Sequence, residues 1–316
     1  MDHSGHGMMT DLPPFTLGRG FEWSTDPFFL VACLAGLALY GWGVVRLRRR
    51  GDSWPVARTV SYVLGVLSIG LMMCTRLNDY GMVMFSVHMV QHMVISMVSP
   101  ILVLLGGPVT LALRALPVAG KGRKGPRELL LMLLHSRYMR IITHPAFTIP
   151  LFIASLYAVY FTPLFDFLMG SRVGHAAMMV HFLAVGVVFF WPIIGIDPGP
   201  HRPGHLMRML ELFAGMPFHA FFGIALMMAS EPMVETFKNP PASLGIDALA
   251  DQTAAGGIAW GFSEVPSVLV LIALLFQWYG SEQRQAKRKD RAADRNGDQE
   301  LEAYNAYLAS LNARKG

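Results

Sequence analysis

The feature that most constrains this chain is the recurrence of apolar blocks about as long as a bilayer is thick. Blocks near residues 27–47, 56–77, 80–105, 145–161, 174–196, 208–230 and 256–279 punctuate the sequence. Each approaches the ~20 residues that a helix needs to cross about 30 Å of hydrocarbon. Composition agrees, since 53% of the 316 residues are hydrophobic and 15% are charged, where soluble domains carry about 25% charged residues. The expected fold is all-α: a polytopic transmembrane helical bundle of seven spans, with 145–161 the shortest.

The basic residues give this bundle a direction. Taking alternate connections in turn, one side collects Arg46, Arg48, Arg49, Arg50, Arg58, the 114–140 connection, Arg202, Arg208 and the basic tail. The other side holds Arg19, Arg76, Arg172 and Lys238. By the positive-inside rule the N-terminus lies outside and the C-terminus is cytoplasmic, a parity that seven spans satisfy. The net charge of +5 thus reports topology, and no nucleic-acid partner is expected. No basic segment and small-residue cleavage site precede the first block, so the first span is expected to serve as its own anchor. Cys33 and Cys74 form no C-x-x-C pair and read as small core residues.

Three parts are expected: an extracytoplasmic His/Met arm over 1–26, a seven-helix membrane domain over 27–280, and a charged, helical cytoplasmic tail over 281–316, suited to anionic lipid. The connection at 118–137, with Gly120, Gly122 and Gly125, reads as a solvated basic loop, and Asp197-Pro198-Gly199-Pro200 as a turn.

Ionisable residues inside spans are costly, which makes each a functional candidate. The strongest group is Met84-Phe85-Ser86-Val87-His88-Met89-Val90-Gln91-His92-Met93, in which His88 and His92 are four apart and share a helix face that Met84 extends. Counted from the outer ends of their helices, His88 lies roughly 12 Å deep, His92 roughly 18 Å, His181 roughly 10 Å and His219 roughly 16 Å. Three helices therefore carry histidine to comparable depth, and one site forms if their polar faces converge. Met178 lies between His175, at the mouth of its span, and His181, on a face shared with both. Imidazole and thioether together suit Cu(I). The same spacing also serves neutral histidines hydrogen-bonded between helices.

The arm Met1-Asp2-His3-Ser4-Gly5-His6-Gly7-Met8-Met9 adds His3 and His6 on the same side. A free amino terminus with histidine in third position offers a square plane of nitrogens to Cu(II), while the methionine pair suits Cu(I). A simple polar leader is the competing reading. Among the acids, Asp79, Glu231, Glu235 and Glu264 could balance cation charge or relay protons; a carboxylate paired with arginine or histidine is the structural alternative.

Three stretches resemble the CtaG-type cytochrome c oxidase assembly factors, a bacterial multi-spanning family. These are 86–108, with His-Met-Val-Gln-His-Met followed by Ser-Pro and Gly-Gly-Pro; 181–200, with Phe-Trp-Pro-Ile-Ile-Gly-Ile-Asp-Pro; and 216–228 around His219. The resemblance implies a non-enzymatic role in maturing the haem-copper oxidase of a bacterial plasma membrane. It implies copper as cargo, the oxidase catalytic subunit as partner, extracytoplasmic copper chaperones as donors, and His88, His92, His181 and His219 as ligands. Two other classes stay open: a haem-binding electron carrier using histidines such as His92 and His219 as axial ligands, and a copper transporter, which needs a polar route through inner halves that offer little beyond His144 and Glu211.

Overall fold

The computed structural model describes residues 12–120, 123–200, 203–296 and 299–313. Among them every regular element is helical, with one isolated bridge between Trp23 and Thr75. The turn α1 (Leu17–Gly20) precedes α2 (Pro27–Arg49). Asp26 starts α2 by accepting from the Phe28 and Phe29 N–H groups at 2.9 and 3.3 Å, and Pro27 fills the first helical position, where a missing N–H costs nothing.

After α3 (Val56–Met73) and the short α4 (Leu77–Tyr80), the next long element is composite. It comprises α5 (Phe85–Met93), a π turn (Val94–Val98) and α6 (Ser99–Leu105). Gly107, at φ +61°, occupies the left-handed region that a side chain disfavours and turns the chain into α7 (Pro108–Ala115). Asp197 caps α7, accepting from Val109 N–H at 3.2 Å, Thr110 N–H at 2.7 Å and Thr110 Oγ1 at 2.6 Å. The expected turn at 197–200 therefore begins with a buried carboxylate that joins two distant segments.

The expected loop at 118–137 is also more ordered than its glycines suggest. It is helical from Pro126, as α8 (Pro126–Leu134), followed by α9 (Arg137–Ile142). Glu128 reaches back to accept from Gly125 N–H and Ala119 N–H, both at 3.1 Å, satisfying donors at the helix start. Those hydrogen bonds hold its carboxyl below the usual range.

The chain continues through α10 (Pro145–Tyr160), α11 (Leu164–Met169), α12 (Arg172–Ile194) and α13 (His205–Met228). Beyond two 3₁₀ turns, Glu235–Phe237 and Ala242–Leu244, come α14 (Ala248–Asn296) and α15 (Gln299–Ala313). Among the described residues, six stretches are long and apolar enough to cross a membrane: α2, α3, Phe85–Ala115, α12, α13 and Ala248–Arg291. The apolar α10 has 16 residues, which at a helical rise gives ~24 Å.

Two compact units form, Met1–Leu269 and Val270–Gly316. In the first, the α5–π–α6 run packs between α3 and α12, and α10 packs on α12 and α13. Glycine permits the closest approaches, as at Gly65 against Val103 and Gly186 against Ser96. Polarity runs opposite to a soluble core: Leu39, Phe213 and Phe221 are exposed, while His88, Gln91 and Glu211 are buried. Such a surface suits lipid. The second unit carries exposed Phe276 and Tyr279 ahead of the charged helical tail.

Candidate functional site

The rotation of α5 is fixed at both ends of its polar motif. Asp251, at the start of α14, accepts from Phe85 N–H at 2.6 Å, from Ser86 N–H at 3.3 Å and from the Ser86 hydroxyl. Gln91 Nε2 donates to the Met72 carbonyl of α3 at 2.9 Å. Gly81 leaves the room Gln91 needs, since a Cβ at residue 81 would fall 1.9 Å from Gln91 Oε1. So held, α5 directs His88 and His92 into the protein, at 0% and 2% exposure.

Each of these histidines faces a different helix. His88 lies beside His175 of α12, with ring centroids 5.5 Å apart, and His92 lies beside His219 of α13, with centroids 6.3 Å apart and planes 26° from parallel. Tyr160, the last residue of α10, stands by both α5 histidines. Its hydroxyl is 3.0 Å from His88 Nε2, and its ring stands edge-on to His92 at 5.6 Å. Phe165 and Phe237 cover His88, and Phe182 packs on His92 at 4.1 Å.

Several polar atoms here are left without protein partners. Neither ring nitrogen of His92 has a hydrogen bond, nor do His175 Nε2 and Ser96 Oγ. Burying such atoms unsatisfied costs about 1–3 kcal/mol each, so they mark a place where a ligand or water would be favoured. A cavity of about 10 Å³ adjoins His92 and Ser96, with Ser155, His219 and the apolar Phe152, Leu156, Phe182 and Val185 completing its wall. That is about the room of one water-sized body. A second cavity of about 10 Å³ lies on another side of His219, bordered by Met97, Met216, Ser263 and Ser267.

The expected residues divide clearly. His88, His92, His175 and His219 come together as two pairs. His181 instead turns to Ser155, with Nε2 2.5 Å from the hydroxyl, and is exposed, so it reaches the cavity only through that serine. Met84 stands at the start of α5, where its carbonyl accepts from His88 N–H, and Met178 is buried one turn after His175. His3 and His6 lie outside the described residues. Among the described residues, no three His, Cys, Asp or Glu side chains gather closely enough to hold one ion by themselves.

Asp79 takes the structural role, accepting from Ser24 Oγ at 2.6 Å and pairing with Arg172 at 3.0 Å. Sequence reasoning had no access to Tyr160, Ser96, Ser155 or Asp251 as site residues, because each acquires its role from a distant segment. The π turn also had no signal in the apolar pattern. It places Ser96 at the cavity wall, in a kind of helical irregularity that recurs at functional sites.

A family profile for the cytochrome c oxidase caa3 assembly factor matches residues 38–281, which include all four paired histidines. The chain belongs to this family. Similar proteins include an uncharacterized protein of Mycobacterium bovis and one of Mycobacterium tuberculosis, each 50% identical over 308 residues, covering 95% of this chain and 46% of the relative. An uncharacterized protein of Mycobacterium leprae is 49% identical over 274 residues, covering 85% of this chain and 41% of the relative. This chain thus spans less than half the length of the curated relatives it matches. No solved structure matches it.

Proposed function

We propose that this chain is a copper-binding assembly factor of the bacterial plasma membrane. In this reading it receives Cu(I) on the extracytoplasmic side and passes it to the catalytic subunit of a haem-copper oxidase. The observation that carries the reading is His92: it is 2% exposed, with neither ring nitrogen hydrogen-bonded, and lies by His219 at a small, mainly apolar cavity that Ser96 and Ser155 also line. Two imidazoles sharing one ion each place a nitrogen about 2.0 Å from it, so facing nitrogens give ring centroids roughly 6 Å apart. The 6.3 Å separation of His92 and His219 suits that arrangement. Few donors suit a cargo site, since an ion bound by many ligands leaves slowly.

The topology that supports this role has seven spans, with α10 as the short one, the N-terminus outside and the C-terminus cytoplasmic. In that orientation the paired histidines lie in the outer half of the bundle. Extracytoplasmic copper chaperones are the matching donors. A haem-binding electron carrier would need a macrocycle between its axial histidines, and the cavity between His92 and His219 is about 10 Å³.

Metal analysis and visible spectroscopy of the purified chain, with His92→Ala and His219→Ala beside the wild type, test the reading. Copper that falls in both variants is expected. Haem without copper would overturn it. Deleting the gene should lower the copper content of the oxidase, and an unchanged content would remove the assembly role.

A further inference from the structure

The four buried histidines could hold one ion together or two ions in sequence, and the geometry separates these cases. His88 and His92 lie one turn apart on α5, yet each pairs with a different helix: His88 with His175 of α12, His92 with His219 of α13. Tyr160 stands beside both α5 rings, hydrogen-bonded to His88 Nε2 and edge-on to His92. No three of these side chains converge among the described residues. Each pair nevertheless contains a ring nitrogen that is buried and without a hydrogen bond, His175 Nε2 in one and both nitrogens of His92 in the other. Such nitrogens fall short of their bonding capacity in each pair independently.

We propose that the protein holds two separate two-histidine stations for a soft monovalent cation, an entry station at His88 and His175 and a deeper one at His92 and His219, with Tyr160 as the partition. This rests on the copper-binding reading above. The first station lies at the end of α5 nearest its N-terminus, under Phe165 and Phe237. The second lies one helical turn farther along, about 6 Å away by the rise of an α-helix. An ion bound by two imidazoles can pass over that distance by exchanging one ligand at a time. His92 is the natural first exchange ligand, because neither of its nitrogens is engaged elsewhere.

The test is Cu(I) titration of the full chain in detergent against a chromophoric Cu(I) chelator, with His175→Ala, His219→Ala and the double variant alongside. The expected result is that each single variant binds about one equivalent fewer than the wild type and the double variant about two fewer, as two independent low-coordinate sites require. One equivalent in the wild type, abolished by either single change, would mean a single four-histidine site and would overturn the two stations while leaving copper binding intact. No retained Cu(I) in the wild type would overturn the copper reading itself. X-ray absorption on the fully loaded wild type gives a second measurement that needs no variant. About two imidazoles per copper support separate stations, and four overturn them.

Discussion

His92 and His219 approach each other from α5 and α13 with ring centroids 6.3 Å apart, while His181, on α12, turns aside to Ser155. This relationship separates residues that can touch an ion in the cavity from one that can act only through a neighbour. His92→Ala should therefore lower Cu(I) affinity at the His92–His219 pair by more than ~100-fold, whereas His181→Ala should cost that pair about tenfold, in the range for outer partners of a metal ligand. Chelator competition on the two variants checks the contrast. Equal losses would put His181 in direct contact with the ion.

Gly186 is where α12 meets the π turn. A Cβ at residue 186 would lie 2.1 Å from the Ser96 carbonyl oxygen and 2.8 Å from Pro100 Cγ, so a backbone must move. Gly186→Ala is expected to destabilise the protein by about 1–3 kcal/mol, as overpacking does. Because Ser96 lines the cavity, the change should also weaken Cu(I) binding. Thermal unfolding in detergent and chelator competition measure the two effects. An unaltered midpoint would show that α12 approaches the turn less closely.

The carboxylate of Asp251 fixes the start of the histidine helix across 165 residues of sequence. Asp251→Ala removes an acceptor shared by Phe85 N–H, Ser86 N–H and the Ser86 hydroxyl. A loss of about 1 kcal/mol is expected, typical of a deleted N-cap. Hydrogen exchange should quicken at residues 85–88 before it does in α13. Exchange confined elsewhere would remove Asp251 from the positioning of His88.

Acid should loosen the 119–128 connection through Glu128. Its hydrogen bonds from Ala119, from its own N–H and from Gly125 lower the folded-state pKa below the ordinary 4.5. A depressed carboxylate contributes stability that is complete above the unfolded value and is lost as pH falls through the folded one. Protection of the Ala119 and Gly125 amides should thus be intact at neutral pH and decline only below the ordinary carboxylate range. In Glu128→Gln that acid-dependent decline should vanish. A matching decline in the variant would assign it to another group.

Much of the architecture was legible because the governing forces act locally along the chain. Apolar length alone locates helices that must satisfy their own backbone in lipid, and Asp26-Pro27 and Ser171 mark helix starts through donors a few residues away. The start of α5 shifted from residue 80 to Phe85 because its cap, Asp251, lies far away in sequence. The same reason explains how an apparent loop became α8 and how a turn aspartate, Asp197, became a buried cap.

The sequence by itself determined which groups could be chemically unusual: histidines on apolar helices, with His88 and His92 held to one face by the 3.6-residue period. Tertiary structure decided which of them meet. Helical periodicity fixes directions within one helix and leaves free the rotation of one helix against another, which for α5 is set by Asp251 of α14 and by its own Gln91, and for α12 by close glycine contact at Gly186. That rotation set His175 beside His88, turned His181 aside, placed Tyr160 by both α5 histidines and divided four histidines into two pairs.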